Sequence, residues 1–177
     1  MKKIVFLEGL PGVGKTTIAN SIKKLNLDNV YVVDEIIKED IINRVSDFES
    51  DYMENDEMKL NKYNEGLIVI DRGPISTLAY NQTKKIIDNN FDSQPVLDWF
   101  ESVKDVYSEE IKILFLTNKG TEYKITSDSN MDPYGSVENQ KLLEAVSLFN
   151  CKKYSDNVIV REYHKLDMED VINEIIN

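Results

Sequence analysis

The 177-residue sequence predicts an α/β fold, a parallel sheet whose strands are joined by crossover helices. Three observations carry that prediction. Short β-rich apolar runs alternate with helically spaced apolar residues, which is the pattern of parallel strands linked by helices. One run, Leu67-Ile68-Val69-Ile70, is continuously apolar, as suits a central strand covered on both faces. A glycine-rich turn also separates the first apolar run from the first helical pattern.

Strands are expected at residues 3–8, 30–33, 67–70, 111–116 and 158–160. Between them, Ile36, Ile37, Ile41, Ile42, Val45 and Phe48 recur at helical spacing, as do Ile75, Leu78, Ala79, Ile86 and Ile87. Both sets read as core. Residues 117–134 are polar, contain Gly120 and Pro133 and lack a period, so they read as a loop or lid. Ser136 is the expected cap of a helix carrying Leu142, Leu143, Val146 and Phe149. No repeat or low-complexity linker divides the chain, and residues 1–177 read as one domain with this lid.

Composition narrows the function. With 41% apolar and 30% charged residues the chain is globular. A net charge of −11 excludes a nucleic-acid polymer as partner, because phosphate neutralisation needs a basic surface. A small anionic ligand needs only a local positive site. The lone Cys151 suits a reducing compartment and reads as a packing thiol. Glu8 interrupts the apolar N-terminus, so that run reads as a strand and not a leader. No apolar stretch approaches the roughly 20 residues of a membrane span, and the expected location is the cytoplasm.

Residues Gly9-Leu10-Pro11-Gly12-Val13-Gly14-Lys15-Thr16 match G-x-x-x-x-G-K-[ST], after a strand and opening a helix. The glycines permit close backbone approach, and the loop N–H groups with the helix N-terminus offer positive charge to a β-phosphate. Lys15 is expected at the β/γ oxygens, the Thr16 hydroxyl on Mg²⁺, and Thr17 towards the α-phosphate.

The run 67–70 ends in Asp71-Arg72-Gly73-Pro74. An Asp at the C-terminal end of a parallel strand lies on the ligand side of the sheet. Asp71 can hold Mg²⁺ with Thr16, and it can also cap the helix that Pro74 opens. Arg72 suits phosphate oxygens, on either the transferred group or the acceptor. Asp34 and Glu35 follow the second strand at the same edge, where a carboxylate can take a proton from a hydroxyl or orient a substrate. Phe48, Tyr52, Tyr63 and Tyr80 are candidates to stack on an acceptor base. His164 reads as a surface residue.

These residues resemble the thymidylate kinase and deoxynucleoside kinase group of P-loop kinases. The loop from Gly9 to Thr17 is similar to theirs, as is Asp71-Arg72-x-x-x-Ser76-x-x-Ala79-Tyr80, and Glu35 stands where that group carries a Glu. The resemblance implies a three-layer P-loop kinase fold, with a five-stranded parallel sheet in order 2-3-1-4-5 between helices. It also implies ATP as phosphoryl donor with Mg²⁺, and a nucleoside or nucleoside monophosphate as acceptor. Arg72 is implied on the acceptor side, Glu35 as base or substrate holder, Arg161 near adenine, and a homodimer as the common assembly.

Departures are visible. Asp34 and Ile36 replace the family's Arg and Pro around Glu35, Gly73 replaces a frequent aromatic residue, and Asn81 replaces a Gln. The chain's arginines are Arg44, Arg72 and Arg161, so Lys119 and Lys124 are the cations of the lid. Two alternatives therefore stay open: a P-loop kinase of a non-nucleoside small molecule, and a nucleotide-binding regulator with weak catalysis. A GTPase switch is rejected. Asn118-Lys119-Gly120-Thr121 lacks the Asp of N-K-x-D, and Asp71-Arg72-Gly73-Pro74 lacks the Gly of D-x-x-G.

Overall fold

The computed structural model describes residues 1–37, 49–108, 111–118, 123, 130–165 and 167–176. Five strands, β1 (Lys2–Gly9), β2 (Val30–Val33), β3 (Gly66–Asp71), β4 (Ile111–Thr117) and β5 (Val158–Glu162), form one sheet in the order β2-β3-β1-β4-β5. Every pairing is parallel. The predicted strands and their order are those observed, each within two residues at either end. The register sets Leu7 beside both Asp71 and Leu114, and Gly9 beside Leu116, so the ends of three strands converge where the glycine-rich turn begins.

Six helices are described: α1 (Lys15–Leu25), α2 (Glu49–Asn61), α3 (Pro74–Ile87), α4 (Gln94–Val103), α5 (Val137–Tyr154) and α6 (Met168–Ile176). Side chains alternate across the sheet with period two. Val5, Leu7, Val69 and Leu114 pack with Ile18 and Ile22 of α1 and Ile175 of α6. Ile4, Phe6, Ile70 and Phe115 pack with Ile75 and Leu78 of α3 and Phe100 of α4. Two cores thus sandwich the sheet. The Ser136 Oγ accepts from the Asn139 N–H at 3.1 Å and caps α5 as expected.

Some expectations need correction. Ile36 and Ile37 lie in an irregular segment, and the other apolar residues of that pattern, including Phe48, fall outside the described residues. Ile86 is 60% exposed, so it is not core, and Phe149 of α5 is 66% exposed. Ile86 lies in the last turn of α3, beyond its last buried residue Thr83, and Phe149 lies on the outward side of α5 with the exposed Lys141, Ala145 and Lys152. Of residues 117–134, Thr117 ends β4, and residues 130–134 form turns that return the chain to α5. Among the described residues no helix is long and apolar enough to cross a membrane.

Candidate functional site

The glycine-rich loop is shaped by the sheet beneath it. Gly9 has φ 130°, and a Cβ there would stand 2.2 Å from the Leu116 carbonyl oxygen, so only glycine fits between β1 and β4. Leu10 and Val13 are buried and anchor the loop from below. Gly14, in the left-handed region at φ 85°, turns the chain into α1, whose first residue is Lys15. The Lys15 Nζ donates to the carbonyls of Gly9 at 3.0 Å and Leu10 at 2.7 Å. Burial, reinforced by the charge of Arg72, lowers its ammonium pKa to about 7.

Thr16 Oγ1 donates to Asp71 Oδ2 at 2.7 Å, joining α1 to the end of β3. Asp71 is 1% exposed, and burial raises its pKa although the Thr16 bond opposes the shift. Among the described residues its Oδ1 accepts no hydrogen bond. A hydroxyl beside a carboxylate with a spare oxygen is a hard donor set that fits Mg²⁺. That ion takes only one or two carboxylates when phosphate oxygens and water complete its shell.

Arg72 follows with φ 61°, a left-handed backbone uncommon for a residue with a Cβ. Its Nε stands 2.9 Å from Glu35 Oε1, an ion pair whose alignment falls short of a hydrogen bond. Burial disfavours the guanidinium charge, but Tyr134 and Glu35 outweigh it and raise the pKa further. Glu35 is placed by Asn55 of α2, which donates to the Glu35 carbonyl and accepts from the Ile37 N–H, both at 2.9 Å.

The wall opposite the loop is made of polar helix faces. α2 buries Asp51, Asn55, Asp56 and Lys59. Lys59 Nζ lies 2.8 Å from Asp56 Oδ1, and Thr77 Oγ1 of α3 donates to Asp56 Oδ2 at 2.7 Å. Asn81, 3% exposed, donates from Nδ2 to the Thr77 carbonyl at 3.3 Å, while its Oδ1 accepts nothing among the described residues. Reversing that amide would set two acceptors against each other, so the free atom is the oxygen. Behind the turn, Glu8 is fully buried and accepts from the Gly73 N–H at 2.9 Å and from the Ser76 hydroxyl. Burial pushes its pKa from 4.5 up to about 7.

One cavity of about 580 Å³ collects these groups. Of the sequence-predicted residues, Pro11, Gly12, Gly14, Lys15, Thr16, Thr17, Glu35, Arg72, Tyr52 and Tyr80 line it. Gly9, Leu10 and Val13 lie beneath, and Asp71 reaches it through Thr16. Tyr63 instead stacks on Tyr31 with centroids 4.3 Å apart, and Asp34 pairs with Lys23 at the surface. Arg161 lies within β5 rather than after it, exposed and paired with Glu174 of α6, away from the cavity lining. Cys151 is buried, with its thiol pKa pushed well up by burial, and His164 faces Glu162. Phe48 lies outside the described residues.

Sequence reasoning missed Glu8, Asn55, Asp56, Lys59, Thr77 and Tyr134. The missed signal in α2 was polar: Asp51, Asn55, Asp56 and Lys59 recur at helical spacing as apolar core residues usually do.

No protein-family model and no curated protein matches the sequence. Solved structures do match. Thymidylate kinase from Ehrlichia chaffeensis superposes with a TM-score of 0.65 at 17% identity, covering 98% of this chain and 96% of that one. Deoxyadenosine kinase from M. mycoides, solved with bound dATP, gives a TM-score of 0.63 at 18% identity, with 100% and 98% covered. The chain has the fold of these P-loop kinases. Thymidylate kinase from Candida albicans agrees, with a TM-score of 0.62 at 16% identity over 97% and 88% of the two chains. Each of these superpositions covers at least 97% of this chain, and the resemblance read from the two short motifs extends to the architecture around them.

Proposed function

We propose that the protein is an ATP-dependent kinase of a nucleoside or nucleoside monophosphate, acting as one domain whose lid spans residues 117–134. The observation that carries this reading is the convergence of Lys15, Thr16, Glu35 and Arg72 on one cavity with Tyr80 and Asn81. The first two suit a triphosphate; the last two offer a ring face and a free acceptor to a base. In this reading the loop holds the ATP phosphates, and Thr16 with Asp71 holds Mg²⁺, which neutralises phosphate charge when bound. Glu35 takes the proton from the acceptor hydroxyl. The acceptor oxygen then bonds to the γ-phosphorus as the bond to the β–γ bridging oxygen breaks, releasing ADP. Arg72 steadies negative charge on the transferring group.

Of the two acceptor classes, the lining favours the uncharged nucleoside. Among the described residues outside the loop, Glu35, Glu49, Asp56 and Asp132 bring four carboxylates to the cavity against two cations, Lys59 and Arg72. A phosphate dianion would be repelled there, whereas a hydroxyl finds an acceptor. Measuring ADP release against deoxynucleosides and their monophosphates tests both levels. Turnover with nucleosides is expected to exceed that with monophosphates. The reverse preference would overturn the acceptor class, and ATP binding without turnover on any acceptor would favour a nucleotide-binding regulator.

A further inference from the structure

Lys59 lines the cavity, yet its donors point elsewhere. Its side chain is 2% exposed, and a charge so buried demands partners. It has three: Asp56 Oδ1 at 2.8 Å, the Arg72 carbonyl at 3.1 Å and, more weakly, the Asp71 carbonyl at 3.5 Å. An ammonium has three donors, and here all are committed to protein atoms. Lys59 is therefore not arranged as a ligand-binding cation. It is arranged as a strut between α2 and the turn that ends β3.

That turn needs one. Arg72 sits at φ 61°, which is unfavourable for any residue bearing a Cβ. From the β1 side, the Leu7 carbonyl accepts the Arg72 N–H at 3.0 Å and Glu8 accepts the Gly73 N–H at 2.9 Å. The sheet ladder ends at Asp71, so it supplies no donor for the Arg72 carbonyl. Lys59 supplies it from α2, and Thr77 of α3 fixes Asp56 so that the ammonium stays in place. We propose that Lys59, held by its buried pair with Asp56, is a positioning residue that keeps the Asp71–Arg72 turn left-handed. The side chains of Asp71 and Arg72 thereby meet Thr16 and Glu35. This goes beyond the proposed function but rests on its assignment of Asp71 to Mg²⁺.

The test is the Mg²⁺-dependent gain in ATP affinity, measured by calorimetry with Mg²⁺ and again with EDTA. It needs no acceptor and no turnover. Wild type should show the gain, and Asp71→Asn should lose it. Lys59→Met combined with Asp56→Asn removes the strut without stranding a buried charge. It should reduce the gain at least tenfold while leaving affinity in EDTA within about twofold, because the loop is untouched. Thr77→Val, nearly isosteric, covers the case in which the double variant does not fold; it should reduce the gain two- to threefold. A folded double variant, or Thr77→Val where only that folds, with the wild-type gain would overturn the positioning role and leave Lys59 as a core ion pair. A wild-type protein with no gain, by contrast, would remove the assignment of Asp71 and the proposal with it.

Discussion

The two sides of the cavity are built by different means. The loop side is backbone: glycine conformations, a helix N-terminus and carbonyls determine its shape, and Gly9 has no room for a side chain. The wall formed by α2 and α3 is side chain: Asn55, Asp56, Lys59, Thr77 and Asn81 contribute polar groups from helix faces that would ordinarily be apolar. Backbone geometry tolerates few sequences and so leaves a compact motif. A wall of side chains can be built in many ways and leaves none. In the proposed reading the loop holds the triphosphate, while the wall presents Tyr80 and Asn81 to the acceptor and, through Lys59 and Asp56, braces the turn that carries Asp71 and Arg72.

The largest expected effect tests the loop. Lys15→Ala should reduce phosphoryl transfer by about a thousandfold, the scale seen when a donor to developing charge is removed. The loss should be the same for every accepted nucleoside, as steady-state kinetics on two or more of them would show. A loss confined to one acceptor would break the contrast between the two sides.

That contrast also explains what could be read in advance. The strands and the residues from Gly9 to Thr17 were legible because each rests on local pattern, apolar runs for buried strands and glycines for left-handed turns, whereas the sheet order came only with the resemblance. Asp71 and Arg72 were legible because they close a strand at the ligand edge. Glu35 was recognised by resemblance, but nothing local revealed that Asn55, some twenty residues on, would hold its backbone. Lys59 and Asp56 look like any surface i,i+3 pair until α3 packs over them. Arg161 was misplaced because a charged residue near a strand end carries no sign of which neighbour it meets, and here that neighbour is Glu174.

A smaller effect probes the wall. Asn81 keeps a buried oxygen without a donor among the described residues, which disfavours the fold and suits a ligand N–H. Asn81→Leu should therefore lower kcat/KM for the acceptor by about tenfold to a hundredfold while leaving KM for ATP unchanged. Thermal stability should hold or rise slightly, since the substitution removes an unsatisfied polar atom. Reduced stability with unchanged acceptor kinetics would make Asn81 part of the core and not of the site.

Glu8 lies where the two sides meet, and its effect is expected on stability rather than on selection. Its carboxyl is held by the Gly73 N–H and the Ser76 hydroxyl, yet burial raises its pKa from 4.5 to about 7. Below about pH 4.5 it is protonated in both folded and unfolded chains and costs nothing. Between that point and about pH 7 the unfolded chain ionises first, so the native state loses stability as pH rises. Above about pH 7 the loss is complete and constant, on the order of 3 kcal/mol. Glu8→Gln mimics the protonated carboxyl: its oxygen can accept from Gly73 and its amide can donate to Ser76. The variant should match wild type near pH 4 and unfold at a temperature several degrees higher at pH 8, as melting curves across that range would show. A constant difference at every pH would mean that Glu8 acts through packing alone. A gap that opens with rising pH would mean that the turn carrying Asp71 and Arg72 is held against an electrostatic cost, with a buried charge kept beside Lys15 at the expense of stability.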